Sequence, residues 1–79
     1  DKPFFIACGF FRPHVPCVAP KKYFDMYPPN MLKLPKEPEG HLESVPKVAL
    51  TTDPLNYGLK NDQLLDFTQS YFASVSFMD

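Results

Sequence analysis

Ten prolines in 79 residues restrict the regular structure that this chain can form. Each proline fixes its own φ, removes a backbone donor and disfavours helix at the residue before it. Between residues 28 and 54 the prolines recur so often that we expect a long irregular connection, with short extended pieces at 31–34 and 45–50. So long a connection is uncommon inside a compact small domain, so we expect a surface loop lying on a larger body.

Residues 4–8 (FFIAC) form a short, continuous apolar run near the start of the sequence. The run is too short to span a membrane and too uninterrupted for a half-exposed strand, so it predicts a strand buried on both faces. Pro13 and Pro16 then bracket His14 and stiffen the loop that follows. In open α/β sheets, loops directly after a strand are where ligand sites lie.

Arg12 and His14 are the pair in this loop whose type and spacing suggest chemistry. Arginine offers a permanent positive fork for sulfate, phosphate or carboxylate oxygens, and histidine can donate to such an oxygen or transfer a proton near neutral pH. In an extended loop, residues two apart face the same side, and both side chains could then meet one ligand. The alternative, two exposed side chains without a ligand, is the more frequent outcome for such a pair.

Two helices are predicted. Residues 19–27 are typical of a short helix that has Pro20 in its first turn and ends before the next prolines. A longer helix is predicted after an N-cap at Asn61 or Asp62, with a core face made by Leu64, Phe67, Tyr71, Val75 and Met78. Strand, loop, short helix, long loop and helix is the order expected of one crossover of an α/β fold.

Composition and charge exclude several classes of protein. A chain that is 44% hydrophobic is not a disordered tail, and a net charge of −1 provides no field for nucleic acid or an anionic membrane. Cys8 and Cys17 are predicted to be buried and reduced, and with His14 and His41 they are too few and too widely spaced for a zinc site. The sequence has no serine nucleophile elbow, phosphate-binding glycine loop or paired carboxylates.

Four motifs occur in a fixed order along the chain: KPFF at 2–5, RPHVP at 12–16, PKKY at 20–23 and YFASVSFMD at 71–79. They resemble the K-P-F-F strand, the K-P-H-x-P loop and the two helices of the type I sulfatases, and within that family the iduronate-2-sulfatase group and its bacterial relatives. On this resemblance, residues 1–79 are expected to be an internal fragment of a sulfatase catalytic domain, without a complete domain of their own.

The resemblance implies an α/β fold like that of alkaline phosphatase, and hydrolysis of a sulfate ester with a calcium ion and a formylglycine. By the same match, His14 takes the place of the family histidine that contacts sulfate and is a candidate proton donor to the leaving oxygen. Arg12 stands where close relatives carry lysine and is a second candidate substrate contact. The formylglycine motif, Cys or Ser followed by x-Pro-x-Arg, fails at Cys8 because Phe10 occupies the proline position.

None of the aspartates matches the family's calcium ligands, so we expect calcium and formylglycine to belong to residues outside this chain, and the chain alone to be inactive. The implied partners are a sulfated saccharide, such as a glycosaminoglycan iduronate-2-sulfate, and the remainder of the sulfatase chain, with no nucleic acid and no membrane. The implied location is the lysosome in an animal and the periplasm or exterior in a bacterium. Two alternatives stay open: a non-catalytic binding module, and a phosphatase or phosphonate hydrolase of the same superfamily.

Overall fold

Two α-helices of unequal length organise the computed structural model, which describes all of residues 1–79. Helix α1 is a single turn, Lys21–Phe24, and helix α2 is the long Asn61–Met78. Four short 3-10 helices lie between them: Pro29–Met31, His41–Ser44, Lys47–Ala49 and Leu55–Gly58. No helix has the length and apolar character needed to cross a membrane.

Helix α2 confirms the predicted long helix, but its N-cap differs from the predicted Asn61 or Asp62. Lys60 occupies the N-cap position, and its backbone N–H donates to the Gln63 side-chain oxygen at 2.9 Å. This contact is the glutamine half of a capping box, and it satisfies a donor that the helix itself cannot. Asp62 lies in the first turn instead, where its charge complements the helix dipole.

A short helix is present where residues 19–27 predict one, but it covers only Lys21–Phe24, and Pro20 is its N-cap and not part of its first turn. The Tyr23 N–H donates to the Pro20 carbonyl at 3.0 Å, and the Tyr27 N–H extends the turn by donating to the Phe24 carbonyl at 3.0 Å. Prolines also precede or begin three of the 3-10 helices, because their fixed φ suits the first residue of a helical turn. The predicted irregular connection is confirmed, although a 3-10 helix lies within 45–50 where an extended piece was predicted.

The face of α2 that contacts α1 in the structure differs from the core face that the apolar spacing predicts. Phe67, Tyr71 and Val75 of the predicted core face are exposed by 45%, 43% and 41%. The face that contacts α1 is formed instead by residues 69, 72, 73, 76 and 77, and Ala73 and Ser74 are the two fully buried residues. Small side chains at these two positions allow a close approach of neighbouring chain.

The predicted buried strand at residues 4–8 is not formed, and the α/β description is therefore not confirmed by this structure, which is helical. Phe4, Phe5 and Ile6 are exposed by 84%, 91% and 78%. A strand obtains its backbone hydrogen bonds from neighbouring strands, and no other segment of the chain is extended beside this run.

The prediction of two buried cysteines is wrong for this structure. Cys8 is exposed because it belongs to the unpaired run, and Cys17 is partly buried in the loop before α1. Both thiols are free, in agreement with the predicted reduced state.

Candidate functional site

The loop that carries Arg12 and His14 folds into a turn, so the extended geometry that would place both side chains on one side is not adopted. The His14 N–H donates to the Phe11 carbonyl at 3.1 Å and closes a four-residue turn. The Cys17 thiol lies 3.7 Å from the Pro13 carbonyl oxygen, a second contact across the loop. These contacts, with the prolines at 13 and 16, hold the loop in a defined shape although His14 itself is exposed.

Arg12 closes the base of this loop. Its Nε–H donates to the Val18 carbonyl at 3.2 Å, six residues further along the chain. Its guanidinium carbon also lies 5.9 Å from the centre of the Phe11 ring, within the range of a cation–π contact. The terminal guanidinium nitrogens make no hydrogen bond within the chain, so they can still meet an anion.

His14 presents one defined ring nitrogen to a ligand. Its Nδ1 lies 2.7 Å from the Val15 carbonyl oxygen, and a carbonyl can only accept, so Nδ1 carries the proton. Nε2 is left free; it accepts a hydrogen bond in neutral imidazole and donates one only in the imidazolium form. The ring centre lies 4.9 Å from the Phe11 ring centre, which steadies the imidazole orientation.

Phe11 brings the two predicted residues together, since the Arg12 guanidinium and the His14 imidazole both lie beside its ring. The arrangement offers a permanent positive charge and a titratable donor around one aromatic side chain. Its chemistry is that of an anion contact with a proton donor, as the sequence indicated.

The concave surfaces of the chain lie elsewhere. The larger cleft, about 510 Å³, is open and is lined by residues of the central connection and the first two turns of α2: Leu34, Pro35, Glu37, Asn56, Leu59, Asn61, Leu64, Phe67 and Thr68. Neither Arg12 nor His14 lines it. Because His14 is exposed and its loop lines no cleft of this chain, a substrate contact there needs a second surface opposite the loop.

Metal ligands do not assemble in this chain, since no group of three or more His, Cys, Asp or Glu side chains lies close enough to hold an ion. His41 is partly buried in its 3-10 helix, where its Nδ1 lies 3.1 Å from the Pro38 carbonyl oxygen. It is thus held much as His14 is, at a place with no neighbouring arginine contact.

Gln69, which lies outside the core face that the apolar spacing predicts, was missed by sequence reasoning. The structure places it against α1, where its side-chain amide donates to the Phe24 carbonyl at 3.2 Å and the Tyr27 carbonyl at 2.8 Å. The available signal was a second helical spacing from Gln69 through Phe72 and Ala73 to residues 76 and 77. Because the first residue of this second spacing is polar, a search for apolar residues alone does not detect the face.

Comparison with known proteins gives relatives for nearly the whole chain. A sulfatase of Formosa agariphila is 36% identical over 84 residues, which cover 99% of this chain and 17% of the relative. The iduronate 2-sulfatases of Mus musculus and Homo sapiens are 36% and 34% identical over 93 and 92 residues, each covering 98% of this chain and 16% of the relative. No family model matches the chain, and no solved structure matches it significantly.

These matches show that the chain belongs to the sulfatase family, which confirms the resemblance predicted from its motifs. The chain spans about a sixth of the length of the curated relatives that it matches.

Proposed function

We propose that residues 1–79 are part of the catalytic domain of a sulfatase that hydrolyses a sulfate ester. The observation that carries the proposal is the match of 98–99% of this chain to sulfatases, together with the motif that places a free His14 Nε2 in its loop. In the parent protein the apolar run at residues 4–8 pairs as a strand of an alkaline-phosphatase-like α/β sheet. Strand pairing removes that run from water and sets the Arg12 and His14 loop at the sheet's edge.

His14 acts on the leaving group. In the reaction RO–SO3⁻ + H2O → ROH + HOSO3⁻, the sulfur–oxygen bond to the leaving oxygen breaks and that oxygen takes the proton from Nε2 of the His14 imidazolium. Water delivers its oxygen to sulfur and its remaining proton returns to His14, so atoms and charge balance. Arg12 holds a non-bridging sulfate oxygen through its free guanidinium nitrogens.

A calcium ion and a formylglycine are implied by the family, and the residues of this chain fit neither group. The chain brings together no cluster of ligands for a metal, and the segment from Cys8 to Arg12 carries Phe10 where the formylglycine motif needs proline. Under the proposal both groups belong to residues outside 1–79, and the isolated chain is inactive. No step of the chemistry assigned to His14 and Arg12 passes through them.

The substrate class proposed is a sulfated saccharide, such as the iduronate-2-sulfate of a glycosaminoglycan. Support comes from two relatives that carry the name iduronate 2-sulfatase. The corresponding locations are the lysosome if the source is an animal, and the periplasm or exterior if it is bacterial. The bound partner is then the rest of the sulfatase chain, which supplies the surface opposite the His14 loop.

Substitution of His14 in the full-length protein tests the proposal. We expect His14→Ala to lower kcat/KM for phenyl sulfate by about 10²–10⁴-fold, the range of a lost general acid, and that for 4-nitrophenyl sulfate by less. The nitro compound has the better leaving group and needs less protonation. His41→Ala is the matched control, since His41 also holds a backbone carbonyl through Nδ1 but lies outside the loop, and its kinetics should equal those of the wild type.

Unchanged turnover in His14→Ala would overturn the assignment, and faster turnover of phenyl phosphate than of phenyl sulfate would favour a phosphatase of the same superfamily.

A further inference from the structure

We infer that Gln69 is a positioning residue for His14, an inference that rests on the proposed function. Gln69 lies in the middle of α2, 55 positions after His14 in the sequence. Its single amide nitrogen donates to two backbone carbonyls: that of Phe24, the last residue of α1, at 3.2 Å, and that of Tyr27, three residues after α1, at 2.8 Å. It therefore ties the element that follows the His14 loop to the long helix.

Helix α1 needs such an anchor because it is one turn of four residues. An isolated helix of this length is unstable in water. Gln69 bonds from outside to the Phe24 carbonyl, which also accepts from the Tyr27 N–H, and to the Tyr27 carbonyl just after the helix. The contact is with backbone, so it fixes where α1 lies along α2 regardless of side-chain rotamers.

Side-chain contacts beside Gln69 also fix the position of α1 along α2. The Tyr27 hydroxyl and the Ser76 hydroxyl share a hydrogen bond of 2.6 Å. The Tyr23 ring lies 5.3 Å from the Phe77 ring and the Tyr27 ring lies 5.4 Å from the Phe72 ring, measured between centres. Aromatic pairs at such distances tolerate sliding, whereas the bonds of Gln69 and Tyr27 do not.

The position of α1 is transmitted to His14 through a short, stiff connection. Val18 accepts the hydrogen bond of Arg12, and α1 begins only three residues later, at Lys21. Pro20 limits the freedom of the residues between them. A shift of α1 along α2 therefore moves the loop base and the imidazole with it, and a displacement of about 1 Å is enough to impair a catalytic group.

Gln69 holds the two carbonyls through its amide N–H donors. Replacement by glutamate removes these donors with little change in side-chain shape. Gln69→Glu places a carboxylate, which can only accept, against two carbonyl oxygens. Gln63 provides a matched control on the same helix. Its oxygen accepts from the Lys60 N–H, so Gln63→Glu keeps the contact and adds a charge that suits the helix N-terminus.

The test measures kcat/KM of the full-length protein for 4-nitrophenyl sulfate and phenyl sulfate, and takes the ratio of the two. A loss of folded enzyme lowers both values equally and leaves the ratio unchanged. A displaced proton donor slows phenyl sulfate more, because its leaving oxygen needs the proton. We expect Gln69→Glu to raise the ratio by about 10-fold, a part of the His14→Ala effect, and Gln63→Glu to leave it at the wild-type value.

Tyr27→Phe decides the matter if Gln69→Glu does not fold. This variant keeps the ring beside Phe72 and removes only the hydrogen bond to Ser76, and we expect it to raise the ratio by about 3-fold. A wild-type ratio in whichever of the two variants folds would overturn the positioning role of Gln69, provided His14→Ala still raises it. No change in His14→Ala would instead overturn the proposed function itself.

Discussion

Three consecutive residues ahead of α2 have left-handed backbone geometry: Asn56, Tyr57 and Gly58, with φ of 52°, 56° and 73°. Asparagine and glycine adopt this conformation readily, but tyrosine does so rarely. Asn56 also lines the larger cleft, so this strained turn shapes the one roomy concavity of the chain. Residues on either side of it are ordinary in backbone geometry, which confines the strain to one turn.

Gly58 permits a direct test of this turn. We expect Gly58→Ala to destabilise the full-length protein by about 1–2 kcal/mol, because of the left-handed φ and because the new Cβ would lie 3.1 Å from Pro54 Cγ. Gly58→Asn brings the same Cβ but tolerates the backbone geometry, so its cost should be smaller. Thermal unfolding measures both, and equal losses of Tm would show that the left-handed φ is not the cause.

At the residue scale, His14 differs from His41 in surroundings and not in tautomer. Both Nδ1 atoms lie within hydrogen-bond distance of a nearby carbonyl oxygen, which leaves both Nε2 atoms free. His14 alone has Arg12 beside the same aromatic ring. This contrast makes His41 the natural control for the loop histidine.

At the scale of elements, α2 has two apolar faces with different roles. The face from Gln69 to Phe77 contacts α1 and Tyr27, three residues after it, through two kinds of hydrogen bond and two aromatic pairs. The face with Phe67, Tyr71 and Val75 is about 40–45% exposed. Under the proposed function this second face packs on the sheet of the parent domain, which would restore its predicted role.

Ala73 tests the packing of the first face. Because it is fully buried, Ala73→Leu should overpack the contact with α1 and destabilise it by about 1–3 kcal/mol. Hydrogen exchange followed by mass spectrometry on the full-length protein should then show faster exchange in residues 20–27. Ala49→Leu, the same change at an exposed alanine, should leave that exchange unchanged. Exchange in residues 20–27 as slow as in the wild type in both variants would contradict the packing described.

At the scale of the whole molecule, the chain is extended and mostly solvated. Its dimensions are 59 × 36 × 19 Å, and its radius of gyration of 17.4 Å lies between the roughly 12 Å of a compact domain of this length and the roughly 28 Å of an unfolded one. Two buried residues do not make a core that offsets the loss of chain entropy. Many large apolar side chains are exposed, including Phe4, Phe5 and Phe10.

The isolated chain of 79 residues should therefore show no cooperative unfolding. We expect its far-UV circular dichroism to change gradually on heating, and calorimetry to show no heat-absorption peak. The full-length protein, scanned under the same conditions, should give a sharp transition. A sharp transition of the isolated chain, with equal calorimetric and van't Hoff enthalpies, would contradict the expectation.

Much of the local structure could be predicted because its causes are local. Pro20 starts α1 where the sequence places it, the prolines keep residues 28–54 irregular, and helical spacing predicts α2. The N-cap of α2 was missed by one or two residues because the capping contact comes from Gln63 and not from the cap residue itself. The four motifs were enough to identify the sulfatase family.

The rest depended on partners distant in the sequence. The run at residues 4–8 has the composition of a buried strand, but a strand exists only where other strands pair with it. Apolar spacing allowed two faces of α2 to pack, and only the tertiary contact with α1 decided which one does so in this chain. The same contact gave Gln69 its role, because a polar side chain becomes structural only when carbonyls 42 and 45 positions away are brought within reach.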